Sequence, residues 1–141
     1  KNPQATRTTF TPDGWLLSGD LGHKDSDGYV YVTGRLKELI IKGGENIAPR
    51  EIDEALYSHA DVVEAAAFAR PCSTYGERVE AAVTLKAGST VTADELIEIC
   101  AERLGALKVP DTVYVLNELP KGPSGKIQRL KLAETVDPSD L

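Results

Sequence analysis

The alternation of apolar and polar positions along the 141-residue chain changes period several times, and each change predicts an element. Trp15-Leu16-Leu17 reads as a short strand ending at Gly19-Asp20. Asp25-Ser26-Asp27-Gly28 has turn chemistry, and residues 29–33, Tyr-Val-Tyr-Val-Thr, read as a β-rich strand leaving it. Gly34-Arg35-Leu36-Lys37 then interrupts the pattern and marks a boundary between two units. Residues 38–42 predict another short strand, with Leu39-Ile40-Ile41 as its apolar part. Gly43-Gly44 follows, where absent side chains let another group approach the backbone closely. Pro49 stands where a first helical turn tolerates proline. Ile52, Ala55 and Leu56 follow at helical spacing, which predicts a helix over residues 49–58. Residues 62–69 and 79–85 predict strands joined by the loop 71–77. Thr92 with Glu95 forms a capping-box signature ahead of the stripe Leu96, Cys100, Leu104, and Gly105 ends that helix. Residues 113–116 predict a further strand, 120–125 a Gly/Pro-rich loop and 126–134 a last helix, with a frayed end over 137–141. The expected class is α+β: an N-terminal β-hairpin, then a small domain with a mostly antiparallel sheet of about three strands flanked by helices.

Composition changes this picture little. Hydrophobic residues make up 41% and charged residues 27%, as in ordinary globular domains. No run of apolar residues is long enough for a membrane span, and the polar start does not have the pattern of a signal peptide. Methionine is absent, including at position 1, so the chain reads as a piece of something longer. Cys72 and Cys100 have neither metal-ligand spacing nor a small secreted frame; they read as unpaired thiols in a reducing, cytoplasmic setting, and no metal site is expected. The net charge of -6 argues against nucleic acid as a partner. Locally the sign reverses: residues 119–133 hold four cations, Lys121, Lys126, Arg129 and Lys131, and no acid. Such a run is a solvated face or the mark of a specific anionic target.

Three segments carry candidate chemistry. In Leu17-Ser18-Gly19-Asp20-Leu21-Gly22 an aspartate follows a glycine at a strand end, where a carboxylate can accept from the vicinal hydroxyls of a ribose. In Gly34-Arg35-Leu36-Lys37-Glu38-Leu39-Ile40-Ile41-Lys42-Gly43-Gly44-Glu45-Asn46-Ile47, Arg35 offers a fork of donors to oxygen-rich ligands and the glycines leave room for a ligand or another backbone. Leu119-Pro120-Lys121-Gly122-Pro123-Ser124-Gly125-Lys126-Ile127-Gln128-Arg129 has Gly-Lys ahead of a predicted helix, but Ile127 occupies the hydroxyl position and Pro120 that of the first glycine. A Walker-type loop is therefore excluded. What remains is a lysine at a tight turn, able to meet a negatively charged transition state. Taken alone, the three segments read as a turn aspartate, a surface arginine beside a β-turn, and a solvated loop lysine.

Taken together and in this order, they resemble the adenylate-forming superfamily of acyl- and aryl-CoA synthetases, peptide-synthetase adenylation domains and luciferase. Ser-Gly-Asp-Leu-Gly, Gly-Arg-x-Lys-Glu-Leu-Ile, Leu107-Lys108-Val109-Pro110 and Pro-Lys-x-x-Ser-Gly-Lys-Ile-x-Arg match family motifs at family spacing, over residues 14 to about 132. The resemblance implies that residues 1–35 end a large N-terminal adenylation domain, 36–134 form the mobile C-terminal domain, and 135–141 are a flexible tail. It implies an acyl-CoA ligase that forms acyl-AMP from a carboxylic acid and ATP, then passes the acyl group to CoA, releasing AMP and pyrophosphate. Fatty acid metabolism is the setting this suggests. Asp20 and Arg35 are implied at the nucleotide, Lys37 at the hinge, Lys126 as the adenylation lysine, and Gly43, Gly44 and Glu45 along the channel for the CoA pantetheine. ATP, CoA and Mg2+ would be held mainly by the absent N-terminal domain, which is the expected partner. The fragment alone is expected to be inactive. A lysine acetyltransferase acting on Lys126 is a further implied partner.

Gly122 stands where the family often has threonine, and Cys72 where an aspartate commonly follows the proline; neither removes a catalytic group. Two alternatives stay open: a non-catalytic module that docks an acidic partner through the basic segment, and an adenylation domain that loads a carrier protein.

Overall fold

The structure, a computed structural model, describes residues 2–136. The chain divides into two compact units between Lys37 and Glu38. The first begins with α1 (Pro3–Thr9), which has no apolar periodicity and owes its start to local chemistry. Asn2 caps it by accepting from the Ala5 N–H at 3.1 Å, and proline occupies the first turn.

The strand expected at Trp15-Leu16-Leu17 does not form. Leu16 makes a single bridge to Phe10, and the Leu17 N–H donates to the Thr9 carbonyl at 2.8 Å, so this segment folds back on the end of α1. The hairpin is instead β1 (Asp20–Lys24) antiparallel to β2 (Val30–Arg35). Strand β1 was hidden in the sequence because Asp-Leu-Gly-His-Lys has little β propensity of its own; pairing with the β-rich β2 imposes the conformation. Gly22 is required there, since a Cβ would lie 2.5 Å from the Tyr31 carbonyl oxygen, next to the bulge at Leu21/Gly22. The turn is held by Asp25, whose Oδ1 accepts from the N–H groups of Asp27 and Tyr29. None of the described residues of this unit is buried, and Trp15, Leu17, Tyr29 and Val30 are all more than half exposed.

In the second unit β3 (Ile40–Lys42) and β4 (Glu45–Ile47) form a hairpin, and α2 (Pro49–Tyr57) leads to the long hairpin of β5 (Val62–Cys72) and β6 (Gly76–Leu85). Then come α3 (Ala93–Arg103), β7 (Thr112–Val115) and α4 (Arg129–Thr135). The α+β class stands. The sheet has five strands where about three were expected: β4-β3-β6-β5 is antiparallel throughout and β7 runs parallel to β6. Four of them answer the segments read as strands over 38–42, 62–69, 79–85 and 113–116; the one without a counterpart is β4, three residues between a glycine turn and a helix, too short for a periodicity signal.

Both faces of the sheet are covered. On one, Ala65, Ala67, Ala81 and Val83 pack against α2 and α3 through Ile52, Leu56, Leu96 and Cys100. On the other, Ala66, Phe68, Ala82 and Tyr114 meet Leu132 and Val136 of α4 and its end. Alternate residues of β5 therefore serve opposite cores, and its alanines allow helices to approach closely from both sides. Helix α3 begins with the expected capping box: the Glu95 N–H donates to Thr92 Oγ1 and the Thr92 N–H to Glu95 Oε2. The last helix starts at Arg129 rather than 126, because Lys126 and Ile127 are held in a small hairpin. Thr135 ends α4 and Val136 is buried; the end expected to fray, 137–141, lies outside the described residues.

Within the second core Glu80 is fully buried. Its Oε2 accepts from Arg70 Nε and, at 3.2 Å, from the Tyr114 hydroxyl; Arg78 Nη2 makes an ion contact of 2.6 Å with Oε1, outside hydrogen-bond geometry. Arg70 also donates to the carbonyls of Ala133 and Val136, tying the end of α4 to the sheet. Cys72 and Cys100 are free thiols, and burial pushes Cys100 up to about 11. Among the described residues no helix is long and apolar enough to cross a membrane.

Glu80→Ala leaves two guanidinium groups and a phenol without their buried acceptor. It is expected to destabilise the 141-residue chain by about 3–5 kcal/mol, read as a lower urea midpoint by circular dichroism. Glu80→Gln, which keeps an acceptor, is expected to cost less.

Candidate functional site

The candidate residues fall into three groups. Asp20 and Arg35 are cross-strand partners at one end of the β1–β2 ladder, with Arg35 Nε 3.1 Å from Asp20 Oδ1. Antiparallel pairing brings together two residues fifteen positions apart that sequence analysis assigned to one ligand. Both are exposed, so the pair contributes little to stability, but it orients the carboxylate. Lys37 lies in the short 3-10 turn Leu36–Glu38, at the end of the first unit, and is exposed.

Gly43 and Gly44 are the two central residues of the β3–β4 hairpin, at φ 61° and 86°. Positive φ at both positions is the requirement of a two-residue hairpin turn whose twist matches its strands, and it favours glycine twice over. Local geometry thus accounts for these glycines before any ligand does. The Gly43 N–H donates to the Tyr75 carbonyl at 2.9 Å, which seats this tip against the β5–β6 turn, and Glu45 is exposed beside it. Behind the tip, the buried Lys42 Nζ lies 3.4 Å from Asp111 Oδ2.

Lys126 follows a second tight turn. The Gly125 N–H donates to the Gly122 carbonyl at 2.9 Å and the Gly122 N–H to the Lys126 carbonyl at 2.8 Å, enclosing Pro123, Ser124 and Gly125. This is the three-residue hairpin loop in which proline suits the first turn position and the last residue is left-handed; Gly125 has φ 77°. Below it Lys121 pairs with Ile127, and the Gln128 N–H donates to the Pro120 carbonyl at 2.7 Å. The Lys126 side chain is exposed, and no ion pair or hydrogen bond engages its ammonium among the described residues.

The basic segment is not a uniform charged face. Lys121 is paired with Glu64 at 2.7 Å. Arg129 is turned inward: Nη2 meets Asp53 Oδ2 at 2.6 Å, Nη1 donates to Asp53 Oδ1 and the Ala67 carbonyl, and Nε donates to Glu38 Oε2 at 3.3 Å. Burial pushes the Asp53 carboxyl above its ordinary range, and the hydrogen bond and charge of Arg129 pull it back only in part. In the sequence Arg129 is legible only as a cation and a motif residue and Glu38 only as a motif residue, neither with a task, while Asp53 carries no motif. The available signal was Asp53 itself, an acid beside Ile52 within the buried stripe of α2, which demands a cationic partner.

Within the second unit the two candidate surfaces are far apart. Lys121, at the base of the Lys126 loop, is bound to Glu64 near one end of β5, whereas the glycine tip meets the turn after Cys72 at the other. Glu64 and Cys72 are eight residues apart on one strand, which at ~3.3 Å per residue puts about 26 Å between them.

Gly125→Ala would place a methyl group in open space but force an L-residue to φ 77°. The expected cost is therefore backbone strain alone, about 1–2 kcal/mol, with faster hydrogen exchange at the Gly122 amide and no change in the core amides of β5 and β6.

The AMP-binding enzyme C-terminal domain family matches residues 51–126. The chain is 54% identical over 132 residues to sulfoacetate–CoA ligase of Cupriavidus necator, covering 94% of this chain and 26% of that protein. It is 44% identical over 133 residues to oxalate–CoA ligase of Arabidopsis thaliana, covering 94% and 26%. Among solved structures, ATP-bound MatB from Rhodopseudomonas palustris superposes with a TM-score of 0.91 at 33% identity, covering 100% of this chain and 28% of that one. The chain thus spans about a quarter of the length of the curated relatives it matches. With its motifs, its fold and these likenesses in agreement, the chain belongs to the AMP-binding enzyme C-terminal domain family.

Proposed function

We propose that this chain is the C-terminal part of an AMP-forming acyl-CoA ligase, in which Lys126 serves the first chemical step. The carboxylate of the acid attacks the α-phosphorus of ATP, the bond to the bridging oxygen breaks, and pyrophosphate leaves with that electron pair, giving acyl-AMP. Negative charge moves over the carboxylate and phosphate oxygens during this exchange, and a cation held there stabilises it. Lys126 suits that task as a compact charge on a flexible stem. The observation that carries the reading is its placement: an exposed ammonium without a carboxylate partner among the described residues, on a backbone defined by a tight hairpin.

In the second step the CoA thiol attacks the acyl carbon and AMP leaves. The Gly43-Gly44-Glu45 tip is the surface assigned to that step, lining the path of the pantetheine. The separation of the tip from the Lys126 loop supports a lobe that offers first one end and then the other, with Lys37 at the pivot. A boundary between packed units is where a change of φ/ψ costs least. Asp20, oriented by Arg35, is assigned to the ribose hydroxyls of the nucleotide. Among its described residues the first unit has none buried and a largely exposed set of apolar side chains. That supports its being the end of a larger N-terminal domain, since 37 residues cannot bury a core of their own. Mg2+ is assigned, together with the ATP phosphates it accompanies, to the N-terminal domain of the parent. Acetylation of Lys126, open to a modifying enzyme through its exposure, would remove the charge and stop the first step. The engagement of Lys121 and Arg129 in internal ion pairs speaks against the basic segment as a docking face.

Lys126→Ala in the full-length parent is expected to slow acyl-adenylate formation by about a hundredfold to a thousandfold, measured as pyrophosphate release. Thioester formation from prepared acyl-adenylate and CoA is expected to persist. Equal loss in both steps would overturn the assignment. Calorimetric titration of ATP into the 141-residue chain is expected to give no binding in the micromolar range, and a micromolar Kd would refute the placement of the nucleotide site in the parent's N-terminal domain.

A further inference from the structure

We infer that Arg129 is a positioning residue for the Lys126 step, acting by fixing the Lys126 loop to three separate elements of the lobe at once. The inference rests on the assignment of Lys126 above. The Lys126 loop is short and closed on itself, so its internal hydrogen bonds define its shape but not its place on the lobe. The packing of Leu119 and Ile127 against the second core seats its base, and two polar side-chain attachments add direction to that seat. One is the Lys121–Glu64 ion pair, which is partly exposed and therefore adjustable. The other is Arg129, three residues after Lys126 at the first turn of α4, with its side chain largely buried at 15% exposure.

The guanidinium uses its rigid fork fully. One edge holds both oxygens of Asp53 on α2, Nη1 also donates to the Ala67 carbonyl on β5, and Nε reaches Glu38, the first residue of the second unit. Asp53 in turn accepts from the Ala67 N–H at 2.7 Å, so one residue of β5 presents both its donor and its acceptor to the same pair. A planar fork with several simultaneous acceptors constrains direction as well as distance, which a lysine ammonium does not. The start of α4, and with it the backbone leading to Lys126, is therefore held to the sheet edge, to α2 and to the residue beside Lys37. A misplacement of the reacting group by about 1 Å can cost a hundredfold in rate, and a freely jointed loop would allow that much. A fold-stabilising role alone would instead weaken both chemical steps together.

The test uses Arg129→Lys in the full-length parent, which keeps the charge and loses the fork. The expected result is a tenfold to hundredfold fall in kcat for acyl-adenylate formation, of the order that such a misplacement produces. The KM for ATP and the rate of thioester formation from prepared acyl-adenylate are expected to stay within about twofold, the size of effect left by uniform binding changes that do not reach the reacting atoms. Glu38→Gln, which loosens only the more accessible, half-buried arm of the cluster, is expected to act in the same direction more weakly and keeps the test informative if Arg129→Lys folds poorly. Equal losses in both steps, or an unchanged first step in both variants, would overturn the inference. Lys126→Ala run alongside separates the two ideas: if it slows the first step and the Arg129 and Glu38 variants do not, only the positioning role fails. If Lys126→Ala itself leaves the first step intact, the underlying assignment fails.

Discussion

The second unit is organised around the free edge of β5. This strand pairs with β6 on one side only, so the outward N–H and C=O groups of its other side need partners within the lobe. They find them in side chains: the Ala65 N–H donates to the Tyr57 hydroxyl, the Ala67 N–H to Asp53, and the Ala67 carbonyl accepts from Arg129. The edge is thus closed by polar groups of α2 and α4 instead of by another strand. A charged pair that is costly to bury is tolerated there because it satisfies backbone groups that would otherwise be orphaned. The same pair joins the helices of opposite faces across the edge, and the loop bearing Lys126 inherits that rigidity.

The buried Glu80 cluster does for the other end of α4 what Asp53 does for its start. Arg70 bridges from Glu80 to the carbonyls at the helix C-terminus, where orphan acceptors collect. A seven-residue helix has little intrinsic stability. Clamped by an arginine at each end and seated by Leu132 and Val136, it becomes a fixed part of the lobe. Rigidity of this kind suits the pivoting proposed for the lobe, since motion about a pivot is useful only if the parts on each side keep their shape.

The two units differ in their independence. The second has cores on both faces of its sheet, built from small residues on the strands and larger ones on the helices. The first has defined local geometry in the Asn2 cap, the Asp25 turn and the Gly22 crossing, yet presents its apolar side chains outward. Hydrogen-bonded turns can shape a segment of this length, but the hydrophobic surface needed to hold it must come from outside it.

Much of this protein was legible from sequence wherever the determinant is local. The capping box of α3, the proline start of α2, the long apolar runs of β5 and β6 and the turn residues around Lys126 each act through neighbours a few positions away, so pattern and propensity read them correctly. The candidate residues Asp20, Arg35, Gly43, Gly44 and Lys126 were likewise legible as motif, although their roles were carried by resemblance. What only the tertiary structure decided were the pairings between distant segments. Strand β1 exists because β2 offers a ladder, β4 because the Gly43-Gly44 turn returns it to β3, and Trp15-Leu16-Leu17 folds back on α1 instead of joining the hairpin. The inward turn of Arg129, which one-dimensional reading counted as surface charge, depends on Asp53, Ala67 and Glu38 converging from 62 or more positions away. Charge is a property of the residue, but whether that charge meets solvent, substrate or a buried carboxylate is settled by packing between elements whose contact no local pattern records.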